Sequence, residues 1–374
     1  MVFQLVIISF LLLYAVLIFF YYKWWKALPR WKPEKEVDEN IFISVVVPAR
    51  NEAKHVPALL NAFATQSYPS GNFEVIVVDD FSTDGTAAAV TQSGLENIRV
   101  IQSAGTSETS SKKKAITTGI QQARGLLIVC TDADCIPGKR WLETINSFYQ
   151  STKATFIAMP VKFKEGKSLL KIFQSLDFIT LQGITAASVS ANFHTMCNGA
   201  NLAYTKEAFM NVGGFEGIDK VATGDDMLLM HKIWKKAPDK VLYLKSRETI
   251  VTTEPMPSWS ELLMQRKRWA SKSLVYDDYR IIFVLAFVYV FNCLFPALIV
   301  ASLFDTDYWR YVFGFWIVKT IIEAPFVSSV ARFYGQQHLM VYFPFIQPLH
   351  IFYTVLIGLV SQFGKYEWKG RKTK

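Results

Sequence analysis

Cysteine is scarce in this chain: Cys130, Cys135, Cys197 and Cys293 are the four among 374 residues. None forms a C-x-x-C pair, and no histidine cluster lies near them. That argues against a zinc site and a disulfide framework, and it suits reduced thiols in a cytoplasm-facing or lipid-facing chain. Charge is also sparse. Asp, Glu, Lys and Arg make up 19% of the residues, against roughly 25% in soluble globular chains. Hydrophobic residues reach 51% and aromatic residues 15%, which excludes disordered and collagen-like chains. Internal repeats and low-complexity tracts are absent. So is the G-x-G-x-x-G fingerprint, which argues against a dinucleotide fold. What remains is a chain partly globular and partly in lipid. Its net charge of +9 suits a nucleic acid or an anionic membrane surface. The basic residues gather at membrane flanks and on one helix, not in an aromatic-interleaved groove, so no nucleic acid is expected as partner.

Residues 2–22 read VFQLVIISFLLLYAVLIFFYY, without a charge and long enough to cross a bilayer. A signal peptide would want a basic start, a shorter core and a small-residue cleavage site. The expectation is therefore an uncleaved transmembrane anchor. Lys23, Lys26, Arg30, Lys32 and Lys35 follow, with Trp24, Trp25 and Trp31 among them. That is a cytoplasmic flank with an aromatic belt, which puts the N-terminus outside and the bulk of the chain in the cytoplasm. Residues 281–304 and 309–330 are also long enough to span, and the link between them carries Asp305 and Asp307 without Lys or Arg. A third apolar stretch, 339–361, contains Pro344, Pro348 and His350, and the tail beyond it is basic. A third full crossing would leave that tail outside, against the charge rule. The stretch is expected to be a proline-broken re-entrant segment or a further span, with the broken form preferred. Lys319 and Glu323, four apart in the second span, read as a mutual pair facing other helices or as the lining of a polar acceptor path.

Between these regions, strand and helix alternate. IFISVVVP (41–48), FEVIVVDD (73–80) and GLLIVCTDAD (125–134) read as buried strands, with helical patterns over 52–67 and in KKKAITTGIQQAR. Such alternation predicts a parallel sheet covered by helices. Ligands bind beyond the carboxyl ends of its strands, where Asp79, Asp80, Asp132 and Asp134 fall.

Five groups of residues carry chemistry. Asp132-Ala133-Asp134 places two carboxylates where they can share one divalent cation, Mg²⁺ or Mn²⁺, or form a solvated turn. Asp79 and Asp80 follow an apolar strand, with Asp84 able to cap the next helix. A carboxylate there can accept a hydrogen bond from a base or a ribose. Asp225-Asp226 follows a glycine-rich stretch and offers a general base, or acids favourable to a helix N-terminus. Ser258 and Glu261 form a capping box, so a helix starts near Trp259. On it Gln265, Arg268 and Trp269 share a face, an arginine suiting a diphosphate and an indole a sugar. The bland alternative is a basic helix on anionic lipid, a role open to Arg266, Lys267 and Lys272. Lys112-Lys113-Lys114 opposes the dipole at a helix start, and reads equally as a phosphate contact or a surface run.

In this order the motifs resemble a family 2 glycosyltransferase of the membrane-integrated kind, similar to cellulose synthases and ceramide glucosyltransferases. Val47-Pro48-Ala49-Arg50-Asn51-Glu52 resembles the family's P-x-x-N-E, which implies that Ala49, Arg50 and Glu52 line the nucleotide. Asp80, with Asp79 beside it, resembles the acid that reads uracil or ribose. Lys112 matches the lysine of K-x-x-A-L, although Ile116 takes the last place and Ser111 stands where glycine is usual. Asp132 and Asp134 match the metal-binding D-x-D, Asp134 as the direct ligand. Asp225-Asp226 matches E-D, which gives Asp226 the base position. Cys197, Asn198 and Gly199 resemble the acceptor-facing segment. Gln265, Arg268 and Trp269 match Q-x-x-R-W, the diphosphate and acceptor clamp.

The resemblance implies an α/β GT-A fold, a Rossmann-like nucleotide-diphospho-sugar transferase domain with N- and C-terminal transmembrane helices. It implies an inverting hexosyltransferase with a cytoplasmic catalytic domain in a multi-pass membrane protein. The expected donor is a nucleotide sugar, UDP-hexose or UDP-N-acetylhexosamine, and the acceptor a lipid, a lipid-linked group or a glycan. A processive synthase of poly-N-acetylglucosamine type is the alternative. An inactive membrane scaffold would be expected to lose Asp134 or Asp226, and both are present. The expected domains are an anchor (1–22), a basic linker (23–40), the catalytic domain (41–256), an interface helix segment (257–280), a membrane region (281–361) and a basic tail (362–374).

Overall fold

The computed structural model describes residues 2–33, 40–106, 111–219, 224–270, 278–361, 366–368 and 371–373. Lys35, Lys272 and the tail lysines 365, 369 and 374 lie outside these. The chain forms two compact units. One comprises Met1–Leu28, Phe163–His194 and Pro255–Lys374, the other Pro29–Lys162 and Thr195–Glu254. Residues 163–194, inside the stretch read as one catalytic domain, therefore pack with the helices at the two ends of the sequence.

In chain order, α1 (Val2–Ala27) precedes β1 (Ile43–Ala49), α2 (Val56–Ala64), β2 (Phe73–Asp79), α3 (Thr86–Thr91), β3 (Ile98–Gln102), α4 (Lys112–Gln122) and β4 (Leu127–Cys130). Next come β5 (Cys135–Ile136), α5 (Trp141–Thr152), β6 (Phe156–Ala158), β7 (Val161–Phe163) and α6 (Leu169–Ser190). Then follow β8 (Leu202–Thr205), α7 (Lys206–Asn211), α8 (Asp225–Lys236), β9 (Val241–Tyr243), β10 (Val251–Thr253) and α9 (Trp259–Ala270). The chain continues through α10 (Tyr279–Ser302), α11 (Trp309–Tyr334) and α12 (Phe343–Val360).

The sheet unit is built on β1 and β2. Ile43, Val45, Val46 and Val47 on one strand and Val75, Ile76, Val77 and Val78 on the other are fully or almost fully buried. Branched side chains on both faces of a strand suit a parallel sheet covered on each side. The seven-stranded sheet runs β3-β2-β1-β4-β8-β6-β9. The strands β3, β2, β1 and β4 are mutually parallel, and β8 enters antiparallel between β4 and β6. Ala49 lies beside Asp79, and Cys130 beside Val46. The carboxyl ends of β1, β2 and β4 therefore finish side by side. A second sheet, β5-β10-β7, has three strands.

The helical unit contains α1, α6, α9, α10, α11 and α12. Four helical stretches, Gln4–Ala27, Tyr279–Ser302, Thr306–Tyr334 and Phe343–Val360, are long and apolar enough to cross a membrane. The preferred broken form of 339–361 is not what folds, since α12 is one helix containing both prolines. Pro344 sits in its first turn, where its missing N–H costs nothing. Pro348 lacks the N–H that would reach the carbonyl of Pro344, and the Trp316 indole of α11 donates to that carbonyl instead, at 2.8 Å. A neighbouring helix thus replaces the lost hydrogen bond. Lys319 and Glu323 form the mutual pair. Lys319 is fully buried and also donates to Gln347 Oε1 at 3.0 Å. Gln347 and Tyr14 both donate to the Glu323 carboxylate. These four side chains, from three helices, satisfy one another without water. Gly183 allows α6 to approach α11, because a Cβ there would meet Val330 Cγ2 at 2.5 Å.

Glu74, 3% exposed on β2, ties the start of the sheet together. It accepts from Ser44 Oγ at 2.7 Å and the Arg124 amide at 2.8 Å, with the Arg99 and Arg124 guanidinium groups each at 3.4 Å. Burial alone would raise its pKa, but these hydrogen bonds and cations hold it below the usual glutamate value. The arginines are partly exposed, so solvent screens them and the hydrogen bonds carry the larger share. Glu74→Gln should lower stability by about 2 kcal/mol near pH 7, read by thermal unfolding of the detergent-purified protein. The contribution is complete above the unfolded value of about 4.3 and disappears as pH falls through the depressed folded value. The difference between variant and parent should therefore shrink in acid. Equal stability at pH 7 would rule out this role.

Candidate active site

The ends of β1 and β2 carry the first group. Asp80 donates its amide to the Ala49 carbonyl at 2.8 Å, which joins the loops leaving the two strands. Arg50 reaches across to the Asp80 carbonyl at 2.8 Å, with its carboxylate 3.9 Å away. Asn51 and Phe81 both adopt left-handed backbone, φ 54° and 58°. Such a conformation costs a bulky residue about 1 kcal/mol or more and needs local support. The support is present: Asn51 N donates to Ser82 Oγ at 3.0 Å and Thr83 N to Asn51 Oδ1 at 2.9 Å. Asp84 accepts from Thr86 N at 3.1 Å and from Ala53 N at 3.0 Å, so it caps α3 and braces the first loop. Glu52 donates its amide to Thr86 Oγ1 and pairs its carboxylate with His55 at 2.7 Å. Asp79 is 5% exposed. One of its oxygens accepts from Ser82 N at 3.3 Å, while the other, Oδ1, is buried and meets no donor among the described residues. A buried acceptor without a donor is rare and fits a ligand N–H or hydroxyl.

The second group centres on Lys112. Ser111 caps α4 by accepting from Lys114 N at 3.3 Å, which places Lys112 in the first helical position. Its Nζ lies 2.7 Å from Asp132 Oδ1 and 3.4 Å from Asp225 Oδ2. Burial works against the ammonium, but Asp132, Asp225 and Asp226 outweigh it and hold the lysine well above its usual range. Lys113 is buried, donating to the Ile218 carbonyl at 2.5 Å. Lys112 and Lys113 are therefore not part of a solvated surface, whereas Lys114 is exposed. Asp226 sits at the start of α8 and accepts from Gly199 N at 2.9 Å and Met227 N at 2.8 Å. A Cβ added at Gly199 would lie 3.2 Å from Lys112 Nζ and 3.5 Å from Asp226 Cβ. Asn198 closes its own turn by accepting from Ala200 N at 3.0 Å. Cys197, at the head of that turn, is half-buried.

Asp134 lies in the turn between β4 and β5. Thr253 Oγ1 donates to its Oδ2 at 3.3 Å, and Cys135 Sγ to its Oδ1 at 3.5 Å. Ligand atoms of Asp132, Asp134 and Cys135 lie within 4.8 Å of one another. Burial, and then Asp134 and Asp132, push the Cys135 thiol well above its usual pKa. The two carboxylates are the hard donors of this group. Hard oxygen donors fit Mg²⁺ or Mn²⁺.

Gln265, Arg268 and Trp269 lie on α9 in the helical unit. Ser258 Oγ accepts from Glu261 N and donates to its carboxylate, both at 3.2 Å. Arg266, for which the alternative reading left a place on anionic lipid, is instead buried and 2.6 Å from Asp177. Sequence reasoning missed Asp177 and Thr253. The single acid of the mostly buried α6 was a signal for the first, and nothing in the spacing pointed to the second.

Known proteins resemble this chain. The family described as glycosyltransferase like family 2 matches residues 40–271. Glycosyltransferase AglE of Haloferax volcanii is 28% identical over 232 residues, 61% of this chain and 71% of that protein. A dolichyl N-acetyl-α-D-glucosaminyl phosphate 3-β-D-2,3-diacetamido-2,3-dideoxy-β-D-glucuronosyltransferase of Methanococcus voltae is 26% identical over 175 residues. That match spans 46% of this chain and half the length of that relative. The structure of the mannosyltransferase PcManGT from Pyrobaculum calidifontis, in complex with GDP-Man and Mn²⁺, aligns over 96% of both chains with a TM-score of 0.57. At 18% identity that likeness shows the fold.

Gly199→Ala should press on the Lys112 ammonium, 3.2 Å from the added Cβ, without disturbing the sheet. We expect turnover to drop roughly tenfold or more with an unchanged melting temperature, measured on the purified protein. Undiminished turnover would separate Gly199 from the reacting groups.

Proposed function

This chain belongs to the glycosyltransferase like family 2 and is a transferase with a GT-A fold, and from that premise we propose the reaction it performs. It moves a hexose or N-acetylhexosamine from a nucleoside diphosphate, UDP by preference, to a lipid or lipid-linked acceptor, with inversion at the anomeric carbon. The observation that carries this reading is the Lys112 ammonium between Asp132 and Asp225, with Asp226 alongside. One cation and three carboxylates converge from three segments beyond the strand ends, which is where ligands bind in open α/β sheets.

Asp79, through its unpartnered oxygen, and Asp80 hold the base and ribose beside Ala49, Arg50 and Glu52. Asp134 is the direct ligand and Asp132 the second for Mg²⁺ or Mn²⁺, and the bound ion supplies Lewis acidity to the diphosphate oxygens. The acceptor hydroxyl oxygen attacks the anomeric carbon. Its proton passes to the Asp226 carboxylate, whose orientation is set by the Gly199 and Met227 amides. The bond from the anomeric carbon to the phosphate oxygen breaks, and the nucleoside diphosphate departs with the electron pair. Lys112 and Arg268 stabilise the developing charge, as fixed cations do best in a water-poor site. Asp225 keeps Lys112 in place. Cys197, Asn198 and Gly199 border the acceptor, and Gln265 and Trp269 hold its sugar.

The lipid acceptor is favoured by the four helices long and apolar enough to cross a membrane. It is also favoured by the Methanococcus relative, whose name specifies a dolichyl-linked sugar phosphate. The catalytic unit is proposed to face the cytoplasm, where nucleotide sugars are made.

Asp226→Asn should cut transfer by about 10²–10⁴-fold and leave donor binding near that of the parent, because only the base is removed. Retained transfer would reject Asp226 as base. Purified membranes incubated with a panel of labelled UDP-sugars should label a lipid-soluble product. Label found only in a polymer would favour a processive synthase, and none with any sugar nucleotide would overturn the reading. Chelation with EDTA should abolish turnover, with Mg²⁺ or Mn²⁺ restoring it.

A further inference from the structure

Helix α6 grips α9 at several points. Gln174, fully buried on α6, donates to the Met256 carbonyl at 2.9 Å and accepts from the Met256 amide at 2.8 Å. It thereby fixes the chain just before α9 begins. One turn on, Asp177 takes Arg266 at 2.6 Å. Phe173 lies against Trp259, ring centroids 5.4 Å apart, and Phe178 against Trp269 at 6.1 Å. The Arg266 guanidinium also lies over the Trp269 ring, 4.2 Å from its centroid. A third helix closes the group, since His350 Nε2 of α12 is 3.3 Å from the other Asp177 oxygen.

This arrangement is costly unless it does something. The Asp177 and Arg266 side chains are 7% and 5% exposed, and removing both charges from water is offset only by close geometry. Burial would raise the Asp177 pKa, but Arg266 and then His350 outweigh it and keep the carboxylate ionised. A basic helix lying on lipid would leave Arg266 among the head groups. Here Arg266 lies 2.6 Å from Asp177 in an ion pair without hydrogen-bond geometry, and its guanidinium stacks over the Trp269 ring at 4.2 Å, a contact a planar group can make and an ammonium cannot.

We propose that Asp177 and Arg266 are positioning residues that set the Trp269 indole for the acceptor sugar, with Gln174 fixing the start of the same helix. The proposal rests on the acceptor-holding role given to Trp269 above. Phe178 and Arg266 both lie against the indole, so Trp269 keeps one orientation before the acceptor arrives. Less ordering is then required on binding. The effect belongs to acceptor recognition, while the base, ribose and metal contacts of the donor, assigned to the sheet unit, are left alone.

The test uses the full-length protein in vesicles, the labelled UDP-sugar that gives product, and the total lipid extract of the membranes as acceptor probe. Trp269→Ala, Asp177→Asn, Arg266→Lys and the double variants with Trp269→Ala are titrated with extract. Donor affinity is measured alongside, to establish that each variant is folded. Asp177→Asn and Arg266→Lys should each raise the half-saturating extract concentration about tenfold and leave donor affinity within about twofold. Arg266→Lys keeps the charge that Asp177 needs, so it reports on the planar contact even if Asp177→Asn fails to fold. Combined with Trp269→Ala, neither should add a further increase. If Trp269→Ala leaves the acceptor titration unchanged, the acceptor role of Trp269 fails. If Trp269→Ala weakens acceptor use and folded Arg266→Lys does not, the positioning inference alone falls. Full additivity with Trp269→Ala would also overturn it, since the residues would then act apart from the indole.

Discussion

One ammonium holds the candidate site together. Lys112 begins α4, Asp132 follows β4 and Asp225 begins α8, so more than a hundred residues separate the first from the last. Like charges repel, and three carboxylates would not settle beside one another without a cation. Lys112 provides it, donating to Asp132 at 2.7 Å with Asp225 at 3.4 Å. Asp226 then takes its orientation from the backbone amides of Gly199 and Met227. The order of parallel strands makes this possible, because β1, β2 and β4 all end on one edge.

The helical unit faces the opposite problem. Where water is absent, each polar group must find its partner within the protein. The Tyr14, Lys319, Glu323 and Gln347 side chains do so among themselves. The carbonyl freed by Pro348 is met by Trp316. The Asp177–Arg266 pair joins α6 and α9 by charge alone, since the Arg266 nitrogens meet no hydrogen-bond acceptor among the described residues. Helix α6 is central to this unit although its sequence lies between strands of the other.

The local elements were legible because the physics behind them is local. Two runs of branched residues can hardly be anything but buried strands. A serine three residues before a glutamate at the head of a helical run caps that helix, as Ser258 and Glu261 do. Spacing also put Gln265, Arg268 and Trp269 on one face, and apolar length alone marked the helices able to cross a membrane. The acids at 79, 80, 132 and 134 stood out because each pair follows an apolar strand.

Partnership was not legible. Nothing in the order of residues joins Lys112 to Asp225, Thr253 to Asp134, or Asp177 to Arg266, because long-range ion pairs and hydrogen bonds depend on distances that only packing creates. For the same reason Arg266 looked like a lipid contact and proves to be an internal one. The prolines of α12 looked like helix breaks, and a tryptophan from a neighbouring helix satisfies the carbonyl one of them leaves open. Sequence determined which groups this protein has to work with. The tertiary structure decided which of them meet, since a charge or a carbonyl is costly or useful only according to what lies within a few ångströms of it.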